Sequence, residues 1–226
     1  ASTRSAHARV GRSARSLTHL RVRSLPCSLL PSPGPFCFDA RQDPRNDAAA
    51  VVTTSASLRG RDFLSVADLS ADEVERVFAT TERLKAEFRA TRRHAARPLL
   101  GRTLAMLFQK PSLRTRVTFE AGMAQLGGAA IYLPEDSVMG AREAVRDVAR
   151  NLARFVDAIV ARTGPHEVVT ELAAQASIPV INGLTLREHP CQALADVFTI
   201  REHLGSLEGA VVTFVGDGNN VYHSLA

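Results

Sequence analysis

Residues 103–126 read Thr-Leu-Ala-Met-Leu-Phe-Gln-Lys-Pro-Ser-Leu-Arg-Thr-Arg-Val-Thr-Phe-Glu-Ala-Gly-Met-Ala-Gln-Leu. The apolar run Thr103–Phe108 is short enough to be a buried strand. Pro111 and Ser112 are helix-start residues, and the run from Val117 to Leu126 has helical character. One strand therefore feeds one helix through a brief polar turn. Working outward, the same alternation recurs. Ala129–Leu133, Ala158–Ala161, Pro179–Ile181 and Val211–Val215 are further short apolar runs, and between them lie helical stretches such as Val145, Val148, Leu152 and Phe155. Strand and helix in alternation predict an α/β fold, a parallel sheet with helices on both faces. Upstream, Ser70-Ala-Asp-Glu73 is a capping box in which Ser70 and Glu73 satisfy each other's backbone donors. Val74, Val77, Phe78, Thr81, Leu84 and Phe88 follow it at helical spacing. In such folds ligands gather at the carboxyl ends of the strands, here the loops after Phe108, Ala161, Asn182 and Val215.

The chain has 226 residues and a formal charge of +5, with a sequence pI of about 9.7. That balance suggests a polyanionic partner only if the charge is spread over the fold. It is not. Arg4, Arg9, Arg12, Arg15, Arg21 and Arg23 lie in residues 1–38, which hold no acidic residue. From Asp39 onward 22 basic residues face 23 acidic ones, a net charge of −1. The front segment is also rich in serine and broken by Pro26, Pro31, Pro33, Gly34 and Pro35. This composition reads as an organelle transit peptide, for plastid or mitochondrion, or as a basic tail. A nucleic-acid-binding arm would need more stacking partners than Phe36 and Phe38. No apolar run reaches the roughly 18 residues of a membrane span. Residues 1–57 are thus expected to be a disordered leader and linker, with no nucleic acid and no membrane as partner. Cys27 and Cys37 fall in that leader and Cys191 stands alone in the body, so neither a disulfide framework nor a metal-spaced cluster is expected.

Four loops carry polar groups. At Ser112-Leu113-Arg114-Thr115, the first amides of a helix, two hydroxyls and an arginine fork would suit a phosphate. Taken alone, the motif also fits a capped helix with Arg114 and Arg116 solvated. Arg162 ends the strand Ala158–Ala161 at the same sheet edge. His189-Pro190-Cys191-Gln192 opens a helix, and Pro190 suits its first turn. A histidine there is held neutral and can donate to a carbonyl oxygen, although by itself His189 also fits a cap or core histidine. Gly216-Asp217-Gly218-Asn219-Asn220 has Val221 where a dinucleotide fingerprint needs its third glycine, so it reads as a tight strand-to-helix turn.

Several segments occur in one order: Gly60-Arg-Asp-Phe63, Lys110-Pro-Ser-Leu-Arg-Thr-Arg116 and Phe119-Glu-Ala-Gly-Met-Ala-Gln-Leu-Gly-Gly128. They are followed by Arg142-Glu143, Asp147-Val-Ala-Arg150, Val180-Ile-Asn-Gly-Leu184, His189-Pro-Cys-Gln-Ala-Leu-Ala-Asp196 and Gly216-Asp-Gly-Asn-Asn220. Through them the body, from about Leu58 to Ala226, resembles the aspartate/ornithine carbamoyltransferase family. Gly216–Asn220 stands where the aspartate-using branch would carry an arginine-containing loop, so the likeness is to the ornithine-using branch. The resemblance implies transfer of the carbamoyl group of carbamoyl phosphate to the δ-amine of ornithine. Citrulline and phosphate would result, in arginine biosynthesis or the urea cycle. Another amine acceptor, or a truncated non-catalytic carbamoyl-phosphate-binding protein, stays open as an alternative. The resemblance further implies that Ser112, Arg114, Thr115 and the amide of Leu113 hold the phosphate, and that Arg162 bridges phosphate and carbonyl oxygen. His189 and Gln192 would grip the carbamoyl oxygen and amide, and Asn220 would meet ornithine. No metal or organic cofactor is implied, and the assembly would be a homotrimer.

Two departures bear on the site. Leu113 replaces the first threonine of the usual Ser-Thr-Arg-Thr-Arg, which removes a hydroxyl and keeps the amide. After Leu133, Val138 and Met139 stand where relatives often supply Gln or His to the neighbouring subunit. The expected organisation is a leader over 1–57, a carbamoyl-phosphate-binding domain over 58–205, and over 206–226 the truncated start of a second, Rossmann-like ornithine domain. On this reading Val211–Val215 is a strand without its sheet, and the chain alone forms little or no citrulline.

Overall fold

The computed structural model describes residues 57–134 and 143–226, together with the backbone of 21–24. Cys27, Cys37, Val138 and Met139, like most of the leader and linker, lie outside the described residues. In chain order the elements are β1 (Arg21–Ser24), α1 (Ala71–Thr91), β2 (Thr103–Phe108), α2 (Leu113–Gln125), β3 (Ala129–Pro134) and α3 (Val145–Leu152). They continue as β4 (Ala158–Arg162), α4 (His166–Gln175), β5 (Val180–Leu184), α5 (Pro190–Leu204), β6 (Val211–Phe214) and α6 (Asn220–Leu225).

The main sheet has four strands in the order β3-β2-β4-β5, every pair parallel. Phe63 adds a single parallel bridge to Ile181 at the β5 edge. Side chains alternate across the sheet, and each face has its own cluster. Ala105, Leu107, Ile159, Ala161 and Val180 meet Val148 and Ala149 of α3 and Val169 and Leu172 of α4. On the opposite face Leu104, Met106, Phe108 and Val160 meet Phe119 and Met123 of α2. The expected α/β architecture, with helices on both faces, is what forms.

α1 begins as the capping box predicts: the Ser70 hydroxyl accepts from the Glu73 amide at 3.3 Å, and the Glu73 carboxylate accepts from the Ser70 amide at 2.9 Å. It ends without glycine, at Arg92 in the left-handed region (φ 58°), whose guanidinium lies over the Phe88 ring. α1 packs on α5 through Phe78 and Phe198, edge to face at 5.3 Å. Arg201 lies over Phe78 and reaches Glu75 and Glu82.

Three expectations are corrected. β5 runs to Leu184, not Ile181, because Gly183 sits in a bulge. Ala161 pairs with Asn182 but Arg162 with Leu184, so one residue is extra. A side chain at 183 would meet Val160 Cγ2 at 3.1 Å and the Ala161 carbonyl at 3.2 Å. The helix holding Val145, Val148 and Leu152 stops at Leu152. Phe155 lies beyond it and is 77% exposed, while Val156 takes the core position. The tight turn is closed by the Phe155 amide donating to the Leu152 carbonyl. Finally, β6 is not unpaired and residues 21–24 are not free chain: β1 lies parallel to β6, Arg21 opposite Val211 and Ser24 opposite Phe214. An open strand edge is a template for any extended segment within reach.

Candidate functional site

The parallel order sets the site. β2 and β4 end side by side, Phe108 opposite Arg162, so the turn after β2 and the loop after β4 leave the sheet at one edge. The turn delivers Ser112 as the N-cap of α2, with extended backbone (φ −154°). The Ser112 hydroxyl accepts from the Thr115 amide at 3.4 Å and donates to the Thr115 hydroxyl at 3.0 Å. The amides of Leu113 and Arg114, first in the helix, have no intrahelical acceptor and mark its positive end. Arg114 is exposed, and Leu113 is 79% exposed. Arg116 is engaged elsewhere: it pairs with Glu120 at 2.9 Å and lies 4.0 Å from the centre of the Tyr132 ring.

Arg162 is half-buried, and its Nε is buried without a hydrogen-bond partner. Burial, and then the positive charge of Arg114, pull its pKa below the usual arginine value. Two guanidiniums that disfavour each other's charge define a place for an anion.

His189 is the N-cap of α5, with Pro190 at the first helical position as expected. Its Nδ1 is also buried and unpartnered. Burial, then the charge of Arg162, lower its pKa, and Asp196 opposes the shift. The imidazole is therefore neutral at pH 7. A depressed folded pKa means that the unfolded chain binds the proton first as pH falls below about 6.5. Stability is therefore whole above that pH and is lost below it. Replacing His189→Gln should remove this part of the loss, so the melting-temperature difference from the parent should change between pH 7.5 and 5.5. A constant difference across that range would show that His189 titrates normally.

Gln192 is exposed and turned along its own helix, its amide donating to Asp196 Oδ1 at 2.7 Å. Asn220, at the start of α6, donates through Nδ2 to the Thr185 carbonyl at 2.6 Å. From the same helix Ser224 accepts the His189 backbone amide at 2.9 Å, and His223 Nδ1 contacts the Arg187 carbonyl. The structure thus brings Ser112, Arg114, Thr115, Arg162 and His189 to one edge. Asn220 lies against the loop before His189, and the Gln192 amide is held by Asp196. Cys191 is half-buried, desolvation pushes its thiol up to about 11, and its Sγ–H donates to the Asn182 carbonyl. It is no nucleophile at neutral pH. Among the described residues no group of three His, Cys, Asp or Glu could hold a metal ion.

Several polar residues at this edge carried no assigned role in the sequence reading. Asn182 is fully buried; its Nδ2 donates to the Leu64 carbonyl while Oδ1 has no partner. Thr163 and Thr185 are fully buried, and Thr185 Oγ1 meets His166 Nδ1 at 3.0 Å. Gln109 bonds to the loop after β4. The available signal was a polar residue inside or just past an apolar strand, as in Val180-Ile-Asn-Gly-Leu184.

Residues 61–202 match the family described as aspartate/ornithine carbamoyltransferase, carbamoyl-P binding domain. The ornithine carbamoyltransferase of Anoxybacillus flavithermus is 50% identical over 175 residues, which are 77% of this chain and 55% of that protein. That of Bacillus subtilis is 51% identical over 174 residues, 76% of this chain and 52% of the relative. Among solved structures, the ornithine carbamoyltransferase of Pyrococcus furiosus superposes with a TM-score of 0.72 at 50% identity, covering 75% of this chain and 54% of that one. A mitochondrial ornithine carbamoyltransferase from Coccidioides immitis gives a TM-score of 0.69 at 36% identity, covering 74% and 55%. The chain spans about half the length of the curated relatives it matches. With a matched segment that contains every strand of the main sheet and the residues from Ser112 to Gln192, this chain belongs to the aspartate/ornithine carbamoyltransferase family, through its carbamoyl-phosphate-binding domain.

Proposed function

We propose that this chain forms the carbamoyl-phosphate half-site of an ornithine carbamoyltransferase. The observation that carries the reading is the pair of buried, unpartnered polar atoms, Arg162 Nε and His189 Nδ1, beside the open N-terminus of α2. A buried polar atom without a partner is expensive, and a ligand supplies the partner. An anion with an attached carbonyl matches a cationic fork next to a neutral imidazole.

The phosphate takes the amides of Leu113 and Arg114, the hydroxyls of Ser112 and Thr115, and the Arg114 guanidinium. Arg162 spans phosphate and carbonyl oxygen. His189 donates to the carbonyl oxygen, where negative charge grows as the neutral δ-amine of ornithine attacks the carbon. The new C–N bond forms, the C–O bond to phosphate breaks, and phosphate leaves with the electron pair. The amine gives up a proton, and citrulline results. Gln192 accepts from the carbamoyl amide through Oε1 while its Nε2 donates to Asp196, and Asn220 meets ornithine through Oδ1 while its Nδ2 donates to Thr185. Much of the rate comes from holding two reactants in line. The test is a calorimetric titration of the purified chain with carbamoyl phosphate. Saturable binding that inorganic phosphate displaces is expected, and no heat at millimolar ligand refutes the half-site.

Leu113→Thr should tighten carbamoyl phosphate a few-fold, about 1 kcal/mol, by adding one hydroxyl in an exposed first turn with no core to disturb. The same titration checks it, and unchanged or weaker affinity counts against this placement of the phosphate.

The remaining proposals concern the whole protein. Residues 206–226 begin the ornithine domain, and the assembly is a homotrimer. Apolar Val117 and Ile131, exposed on α2 and the edge strand β3, support a subunit contact there. Sedimentation measures the assembly. Residues 1–57 direct the protein to plastid or mitochondrion; a fluorescent fusion of that segment left diffuse in the cytoplasm would refute the targeting.

A further inference from the structure

We infer that Gln109 is a positioning residue that ties the two arginine-bearing arms of the carbamoyl-phosphate site together, an inference that rests on the reading of that site given above. Gln109 is the first residue after β2. Its backbone amide donates to the Arg162 carbonyl at 2.9 Å and so closes the last pair of the β2–β4 ladder. Its side-chain Oε1 accepts the amide of Gly164 at 3.1 Å. One residue thus bonds twice to the segment carrying Arg162, and three positions later the chain caps α2 at Ser112.

The need for such a tie follows from charge. With no anion between them, Arg114 and Arg162 only repel, and the sheet ladder ends where the two arms begin. On its far side the loop after β4 is held to β5 and the turn beyond it. There the Thr163 amide donates to the Leu184 carbonyl and the Leu186 amide to the Gly164 carbonyl. On the β2 side Gln109 supplies the bonds. Gly164 is buried, so losing the Oε1 acceptor would strand its amide and let the loop move until water or another acceptor reaches it. Arg162 would shift with it. A shift of about an ångström is enough to weaken a site that works by positioning.

The test compares Gln109→Met, which keeps the stem and loses the acceptor, with Gln109→Glu, which keeps the acceptor. Carbamoyl phosphate is titrated into each by calorimetry, with circular dichroism to verify folding. Gln109→Met is expected to bind about tenfold more weakly, and Gln109→Glu within about twofold of the parent. Gln109 acts through Arg162, so Gln109→Met should add little in an Arg162→Ala background measured at millimolar ligand. Equal affinity of Gln109→Met and the parent, a Gln109→Glu variant as weak as Gln109→Met, or a full additive loss in the Arg162→Ala background overturns the inference and leaves the half-site standing. A parent chain that binds no carbamoyl phosphate overturns both.

Discussion

Arg162→Ala is expected to weaken carbamoyl phosphate binding at least about 100-fold, close to 3 kcal/mol, with no loss of stability in the free chain. The two halves of that expectation come from one fact. In the free chain Arg162 is a liability: its Nε is buried without a partner and its charge opposes that of Arg114. Removing it relieves an unsatisfied donor, so the melting temperature without ligand should hold or rise. In the complex the same fork is desolvated against a dianion, where charged hydrogen bonds are strongest and their loss most damaging. Arg162→Lys should recover little, since an ammonium is a point charge and cannot bridge two oxygens as a planar fork does. Calorimetric titration and thermal melting measure the two halves separately. Affinity within threefold of the parent would remove Arg162 from the site, and a large drop in ligand-free melting temperature would make it a structural residue instead.

Phe108→Ala should destabilise the domain by about 3–5 kcal/mol, whereas Phe155→Ala should change it by less than about 0.5 kcal/mol. Phe108 is 1% exposed, meets Tyr132 edge to face at 5.3 Å, and shares its cluster with Phe119 and Met123. Truncation leaves a cavity between the sheet and α2 that neighbouring strands cannot close. Domains of this kind are stable by only about 5–15 kcal/mol, so a large part of the margin would go. Phe155, 77% exposed beyond the end of α3, touches no core cluster. The midpoint of urea unfolding at unchanged slope reads both effects. A Phe155→Ala cost equal to that of Phe108→Ala would mean that α3 continues through Phe155, as helical spacing alone suggests.

Local chemistry made several elements legible from residue types. The capping box at Ser70 and Glu73 forms as read, because both partners lie within one turn. Ser112 caps α2 and Pro190 opens α5 for the same reason. The strands were legible as short apolar runs, because a sheet covered on both faces buries the interior side chains of its central strands. Ends were less legible. The spacing of Val145, Val148 and Leu152 continues to Phe155, but a tight turn closes first. The apolar run ends at Ile181, but the strand continues to Leu184, with Gly183 allowing the close approach of Val160 and Ala161.

By itself, then, the sequence determined the alternation of strand and helix, the cap that opens an anion-binding helix, the basic front segment and the residue types at the sheet edge. Each depends on neighbours within a few positions along the chain. Tertiary structure alone decided which of those residues share a site. The fold sets Phe108 beside Arg162, leaves Arg162 Nε and His189 Nδ1 buried without partners, and turns Gln109 toward Gly164. The same tertiary structure pairs β6 with β1 in a second, two-stranded sheet and buries Asn182 with one oxygen unmet. The physical reason is common to all of these: desolvation and charge coupling depend on distance in space, and residues distant in sequence become neighbours only when the sheet forms.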